Sequence, residues 1–520
     1  MHARPRQSRA GVSRRDLFRS GSLMAAGLAA GEPAQSADSK IPGPDVYTRI
    51  GVRPFINCTA TYTINGGSQM LPEVIATIEQ ASYHHVNLDE LMEKVGDRLA
   101  ELLQVEWGIV TSGAAAALTH ATAGCLAGTD PEKIQRLPSL EGLKDEVIMP
   151  RESRNEYDHA IRTLGVRIIE VNSPEELRTA ISPHTALIAV LGSHFGGARF
   201  DLKDVAPIAR ERAIPILVDA AADYLIVPNP YIALGADLVA YSGGKIIRGP
   251  QNAGLLIGRR DLVRAAWANS SPHHAFGRAL KVSKEATVGM LRAVEAWRAE
   301  RDIQADFREW ESWYAEIREQ ITRVPGVRGE VRGPVRGGPF PALEVSWDPE
   351  TIGLTAGQIG RALLDGEPRI MTHAEGEGHS FLIRPVAMKP GEYKVVARRL
   401  YEVFRTAPPR AEPRQPDPPA LDISGVWDVD IQYEVGSARH KLSLAAHGND
   451  VRGSHNGWAY QGDLAGVVDG NRVKLRSSLP ADGNRLTYVF TGSISAEEMS
   501  GDAALGEYGR ARWKARRHPV

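Results

Sequence analysis

From Pro44 to about Thr406, short apolar, β-branched runs alternate with segments whose apolar residues recur at helical spacing. The runs are "WGIVTSG", "EVIMP", "VRIIEV", "TALIAVLGS", "IPILVDAAA", "ADLVAYSG" and "GLLIG"; between them lie "GAAAALTHATAGCLAG", "YDHAIRTLG", "SPEELRTAI" and "DLKDVAPIARERA". Such alternation predicts βαβ units and a mainly parallel sheet covered on both faces. Val282 to Val324 reads as one long helical region with Gly289 its only weak point. It leads into "FPALEVSWD" and "FLIRPV", strands of a smaller α+β lobe closed by the helix "GEYKVVARRLYEVFRTA".

The pattern then changes. "PPRAEPRQPDPPA", Pro408 to Ala420, is a proline-rich extended linker. After it, strand-like runs "GVWDVDIQYE", "RHKLSLAAHG", "WAYQGDLAGVV", "NRVKLRSSL" and "LTYVFTGSI" are separated by "GND", "DGN" and "ADGN" turns. They predict a small antiparallel all-β barrel or sandwich, with Trp427 and Trp513 near its two ends. No catalytic constellation falls in it. His440, His447 and His455 read as surface or strand residues, because no second ligand set recurs at regular spacing. The expected organisation is a leader over 1–40, a large α/β domain over 44–280, a long helix and small lobe over 281–407, the linker over 408–420 and the β domain over 421–517.

At 520 residues the chain exceeds one ordinary domain, and 42% apolar with 24% charged residues is a soluble globular composition. A net charge of −1 gives no electrostatic footprint for nucleic acid. The two cysteines, Cys58 and Cys125, exclude a disulfide framework and read as small buried apolar residues. The leader "SRRDLFRSGSLMAAGLAAGEPAQSA" has a basic start, an apolar run from Leu23 to Ala30 too short to span a bilayer, and small residues for a peptidase. Arg14-Arg15 after Ser13, followed by Leu17-Phe18, resembles a twin-arginine export signal. The expectation is a periplasmic or exported protein, without a membrane span once the leader is removed.

Three stations of the alternating region make sense together. "VTSGAAAAL" runs from a strand through Thr111-Ser112-Gly113 into an alanine-rich helix, leaving backbone N–H groups open for a phosphate. "IPILVDAAADYL" delivers Asp219 at the carboxyl end of a strand, where open α/β folds bind ligands. "AYSGGKIIRGPQNAGLLIG" places Lys245 behind a further strand, in a glycine-rich turn. A desolvated lysine has a lowered pKa and becomes a nucleophile able to form a Schiff base. A phosphate cradle, a carboxylate and a lysine at successive strand ends are the fixed points of pyridoxal 5'-phosphate (PLP), with the carboxylate at the pyridine nitrogen and Ser242 as an extra phosphate donor. Twin-arginine export carries proteins already folded, which suits capture of such a cofactor in the cytoplasm.

"FINCTATYTINGGSQMLPEVIATI", "VTSGAAAALTHATAGCLAG", "RNEYDHAIRTLGVRIIEV", "LVDAAADYL" and "YSGGKIIRGPQNAGLLIGRRDLV" resemble the PLP-dependent family of bacterial selenocysteine synthase (L-seryl-tRNA(Sec) selenium transferase). They are more similar to its branch that includes D-glucosaminate-6-phosphate ammonia-lyase, and the resemblance covers roughly residues 45–405. It implies PLP-dependent fold type I (aspartate-aminotransferase-like), a homodimer or higher homo-oligomer with sites at subunit interfaces, and Lys245 as the Schiff-base residue. It also implies Asp219 at the pyridine nitrogen and Ser112, Gly113, Ala114 and Ser242 around the phosphate. Where the family often has a histidine that stacks on the cofactor, this chain has Ser153, which cannot stack; Tyr157, His159 or His194 could take over. By the same resemblance, His194 either contacts the cofactor's 3-hydroxyl or is an ordinary loop histidine. Arg384 either grips a substrate carboxylate or forms a structural salt bridge.

The resemblance implies a PLP-dependent lyase that eliminates ammonia from a small hydroxylated amino acid or amino sugar acid. The same residues serve a racemase. Selenium transfer to seryl-tRNA meets two objections: a near-neutral chain lacks a phosphate-neutralising surface, and an exported protein meets no tRNA. A non-catalytic exported binding protein would have no reason to keep all three cofactor stations.

Overall fold

The computed structural model describes residues 46–192, 198–334, 338–410 and 414–519, and counts of elements refer to these. The chain divides into two units, Met1–Pro54 and Phe55–Val520. In the first, the described residues form a short 3-10 turn, Thr48–Ile50, ended by Gly51 at φ 83°. The leader with Arg14-Arg15 lies outside the described residues. No described helix is long and apolar enough to cross a membrane.

The second unit is built on a seven-stranded sheet. Its strands are β1 (Trp107–Thr111), β2 (Glu146–Pro150), β3 (Arg167–Val171), β4 (Thr185–Leu191), β5 (Ile216–Asp219), β6 (Leu238–Ser242) and β7 (Gly254–Gly258), in the spatial order β1-β7-β6-β5-β4-β2-β3. Every residue of β1 and β7 is buried, as a sheet covered on both faces requires. The expected parallel arrangement holds except at β7, which runs antiparallel to both β6 and β1. The connection from β6 to β7 contains no crossover helix, and neighbouring strands joined without a crossover pair antiparallel. The alanine-rich helix α1 (Gly113–Ala127) is almost wholly buried. Its small residues permit backbone-to-backbone packing: a Cβ on Gly124 would lie 2.8 Å from the Ala266 nitrogen.

The long helical region is two helices, α2 (Lys284–Ala299) and α3 (Ile303–Ile321). The break is not at Gly289. It falls at 300–302, where the Asp302 side chain accepts from the Gln304 N–H and so caps α3. Gly289 instead admits a close neighbour, since a Cβ there would meet Ile78 Cγ1 at 2.8 Å. The smaller lobe is an antiparallel sheet of β8 (Val327–Arg332), β9 (Ala342–Trp347) and β10 (Ser380–Ile383), with β9 central and α4 (Glu392–Thr406) following. A parallel pair, Ile56–Asn57 with Ile370–Met371, continues into a bridge between Thr59 and Arg384.

The C-terminal region is a closed antiparallel barrel of eight strands. They are β11 (Gly425–Gln432), β12 (Ser437–His447), β13 (Asp450–Asn456), β14 (Gln461–Asp469), β15 (Arg472–Ala481), β16 (Asn484–Ile494), β17 (Glu498–Ala504) and β18 (Arg510–Arg517). β11 pairs with β18 to close it, with Ile431 opposite Trp513. β13, β17 and β18 go beyond the five expected strands: their outward positions carry Arg, Ser and Asp, and their inward ones are partly Ala. The barrel has its own core, around Trp427, Phe490, Met499 and Trp513. His440 and His455 are strand residues, as expected, but point inward. His455 bonds to His440 at 2.8 Å and to Ser477 Oγ at 2.7 Å. His447 is exposed at the end of β12. Cys58 is fully buried, Cys125 only half-buried, and both are free.

Candidate active site

The sheet brings the carboxyl ends of four strands to one edge. Leu191 is opposite Asp219, Asp219 opposite Ala240, and both Thr111 and Ser242 are opposite Gly254. Ligands of open α/β sheets bind at this edge. Immediately after β6 the chain enters the glycine turn that carries Lys245. A Cβ on Gly243 would lie 2.5 Å from Met290 Sδ, and one on Gly244 would lie 2.4 Å from Gln251 Cα. Larger residues therefore do not fit. The turn is tied by Gly243 N–H to Ala253 O (2.8 Å), Gly249 N–H to Gly243 O (2.9 Å) and Arg248 N–H to Lys245 O (3.0 Å).

Lys245 emerges into a cavity of about 470 Å³, whose wall also includes Asp219, Asn155, Tyr157, Tyr62 and Arg384. Burial holds the Lys245 ammonium below its ordinary value, against the opposing pull of the Asp219, Asp223 and Glu156 charges. Burial pushes the Asp219 carboxyl up, while the Ala221 N–H bond and the Lys245 charge pull it down. Asp219 Oδ1 accepts from Ala221 N–H at 3.1 Å, and Oδ2 has no hydrogen-bond partner among the described residues. Arg384 is placed by its backbone N–H, which donates to Cys58 O at 2.9 Å. Its guanidinium makes no ion pair with any described residue. The structural salt bridge considered for it is absent among those residues.

Lys245, Asp219 and Arg384 thus share one cavity. Ser112, Gly113 and Ala114 lie at the same sheet edge but not on the cavity wall; Ser112 precedes α1 without a side-chain capping bond, and Gly113 sits at φ 83°. A Cβ on Gly254 would lie 2.4 Å from the Gly113 carbonyl carbon and 2.7 Å from Ala114 N, so glycine lets the start of α1 approach the strand beside Ser242. His194 lies outside the described residues. Ser153 is buried and accepts the Leu191 N–H at 3.1 Å, which ties its loop to β4. Of the expected substitutes, His159 is exposed and off the cavity wall, whereas the Tyr157 ring centre is 6.0 Å from Lys245 Nζ. Burial and the nearby Glu156 and Asp219 charges push the Tyr157 phenol up. Sequence reasoning missed Asn155, Tyr62 and Asp223. Asp223 follows Asp219 in "DAAAD", a repeat that was its available signal, and it accepts a bond from the Tyr231 hydroxyl.

These residues fit PLP. A half-buried carboxylate with one oxygen unpartnered among the described residues invites a protonated ring nitrogen, a desolvated lysine shares its cavity, and an uncapped helix start adjoins the same edge.

Residues 65–281 match the aminotransferase class-V family. The chain is 28% identical over 377 residues to the D-glucosaminate-6-phosphate ammonia lyase of Salmonella typhimurium, a match covering 70% of this chain and 99% of that enzyme. It is 29% identical over 375 residues to the 5'-C-glycyluridine monooxygenase-decarboxylase of a Streptomyces species, covering 69% and 92%. It is 26% identical over 411 residues to the L-seryl-tRNA(Sec) selenium transferase of Moorella thermoacetica, covering 69% and 83%. The solved structure of D-glucosaminate-6-phosphate ammonia-lyase superposes with a TM-score of 0.62 at 27% identity, over 70% of this chain and 99% of that one. The resemblance read from the sequence is borne out: residues 65–281 match an aminotransferase class-V domain, the fold is that of PLP-dependent fold type I, and the matched enzyme families imply pyridoxal 5'-phosphate as the cofactor.

Proposed function

We propose that the protein is a PLP-dependent lyase that removes ammonia from a small hydroxylated amino acid or amino sugar acid. The observation that carries this reading is the meeting in one cavity of Lys245, Asp219 and Arg384, whose guanidinium has no ion pair among the described residues. The extent of the match to an ammonia lyase, 99% of that enzyme's length, supports it. Lys245, Asp219 and the start of α1 with Ser242 would hold the cofactor, which when bound supplies an electron sink for a carbanion at the substrate's Cα. Arg384 offers a guanidinium fork to the substrate carboxylate. Burial favours the neutral Lys245 amine, which takes the Cα proton. The Cβ hydroxyl leaves with its bonding electron pair and a proton, as water; the enamine left behind takes up water and releases ammonia, giving a 2-oxo acid.

The place of action we propose is the periplasm, on the strength of Arg14-Arg15 in the leader, and the active form a homodimer or higher homo-oligomer. The reaction is tested by incubating the enzyme in D₂O with D- and L-amino acids and amino-substituted aldonic acids. Release of ammonia together with a 2-oxo acid is expected. Deuterium at Cα with inversion and no ammonia would refute the lyase in favour of a racemase.

A further inference from the structure

We propose that the β15–β16 turn of the barrel, Asp482-Gly483, is a positioning element of the cavity: docked on Arg154–Asp158, it fixes the wall that Asn155, Glu156 and Tyr157 present beside Lys245. The idea rests on the lyase reading only for its kinetic arm.

The contact is intimate. A Cβ on Gly483 would lie 2.0 Å from Asn155 O and 2.6 Å from Asp158 Oδ2, so the turn lies directly on the Asn155 carbonyl. Asn155 is the knot of this segment. Its carbonyl accepts the Asp158 N–H (3.2 Å), its Oδ1 accepts the Tyr157 N–H (2.8 Å), and its Nδ2 donates to Ser153 O (3.0 Å). The same residue lines the cavity.

Charge supports the docking. Arg151, Arg154 and Arg162 gather around two carboxylates from the large lobe, Glu170 and the buried Asp158. The third carboxylate comes from the barrel: Asp482 lies 3.4 Å from Arg162 Nη1 and 3.8 Å from Arg154 Nη2. Arg154 is nearly buried and already pairs with Asp158 and Glu170, so Asp482 supplies the third carboxylate that balances the three arginines. The Tyr460 hydroxyl donates to Asp482 at 2.8 Å and steadies it from the barrel side. Glu507, also of the barrel, is near enough for its charge to act on the Tyr157 phenol.

Two variants of the full chain test this. Gly483 is outside the left-handed region, so Gly483→Ala leaves the turn itself unstrained and places its methyl against Asn155. Asp482, at φ 49°, tolerates Asp482→Asn, which removes the charge and keeps the turn. Hydrogen exchange of the cofactor-free protein should quicken about tenfold at amides of 151–162 in both variants and stay unchanged in the barrel. With cofactor and substrate, KM should rise about tenfold with kcat little changed, because binding to the wall weakens while the reacting groups stay in place. Unchanged exchange at 151–162, or quickened exchange throughout the barrel in both variants, would overturn the proposal. So would quickened exchange with an unaltered KM, which makes the contact merely structural. If the lyase reaction itself is absent, the exchange measurement still decides.

Discussion

Replacing Arg384 with glutamine removes a guanidinium of the cavity wall that pairs with no described carboxylate. The structure sets both sides of the expected result. Arg384 is held by its backbone N–H on Cys58 O and by the bridge to Thr59, neither of which involves the side chain. No described carboxylate loses a partner, so the stability change should stay within about 0.5 kcal/mol. Arg301 is a useful contrast, since it pairs with Asp306 at 2.5 Å and donates to Ile246 O at 2.5 Å. For the substrate, a fork on a carboxylate makes charge-assisted bonds, of which glutamine replaces one by a neutral bond. Hydrogen bonds to charged groups contribute about 1.5–3 kcal/mol, so kcat/KM should fall roughly 10- to 150-fold. Arg384→Lys keeps the charge but not the planar fork and should recover only part of that loss. Steady-state ammonia release and thermal unfolding, measured on the same preparations, give both numbers. The Arg384 charge also helps burial hold His373 below its ordinary value, so the glutamine variant should move the His373 titration upward by NMR. An unchanged kcat/KM, or a large fall in melting temperature, would refute the carboxylate grip.

Borohydride reduction should fix the cofactor on Lys245, as read by peptide mass; label on another lysine contradicts the site. Because the folded Lys245 pKa is lowered, the unfolded chain binds more protons between that value and 10.5. Stability should therefore rise with pH across that window, and Lys245→Met should flatten the slope in denaturant titrations of the cofactor-free protein. Asp219→Asn removes the foremost charge that supports the Lys245 ammonium, so the pH at which Lys245 undergoes reductive methylation should move lower still. Gly254→Ala drives a methyl against the backbone of Gly113 and Ala114, at about 1–3 kcal/mol of stability for overpacking, and should weaken cofactor binding in equilibrium titration. Arg14→Lys with Arg15→Lys should leave cofactor-loaded precursor in the cytoplasm, as judged by cell fractionation; normal export would mean an ordinary secretory signal.

The large sheet was legible in the sequence because β1, β4, β6 and β7 are buried on both faces and so read as unbroken apolar runs. The Lys245 turn was legible because its glycines answer to contacts closer than a Cβ allows. The reversal of β7 was not, since an apolar run looks the same in either direction. The α2–α3 break was not foreseen, because intrinsic propensity marks only Gly289 as weak, whereas packing keeps Gly289 helical and a cap at Asp302 restarts the chain. The missing barrel strands were hidden by small inward residues such as Ala511 and Ala515. The pairing of Gly483 with Asn155 was beyond reach, because each belongs to a turn unremarkable in itself and the two are far apart along the chain.

Closure of the barrel by β11 and β18 has a consequence for the order in which the molecule is assembled during synthesis. Residues of the aminotransferase class-V domain, 65–281, are made well before β18, and their sheet shares no strand with the barrel. The barrel cannot close until residue 517 has left the ribosome, and non-local pairings of this kind form slowly. A chain stopped short of β18 would have two open strand edges, at β11 and β17, with unpaired N–H and C=O groups that invite aggregation. In a nascent chain, the lysine turn therefore precedes the barrel turn that rests on Asn155, leaving an interval in which a cofactor could enter before the wall is braced.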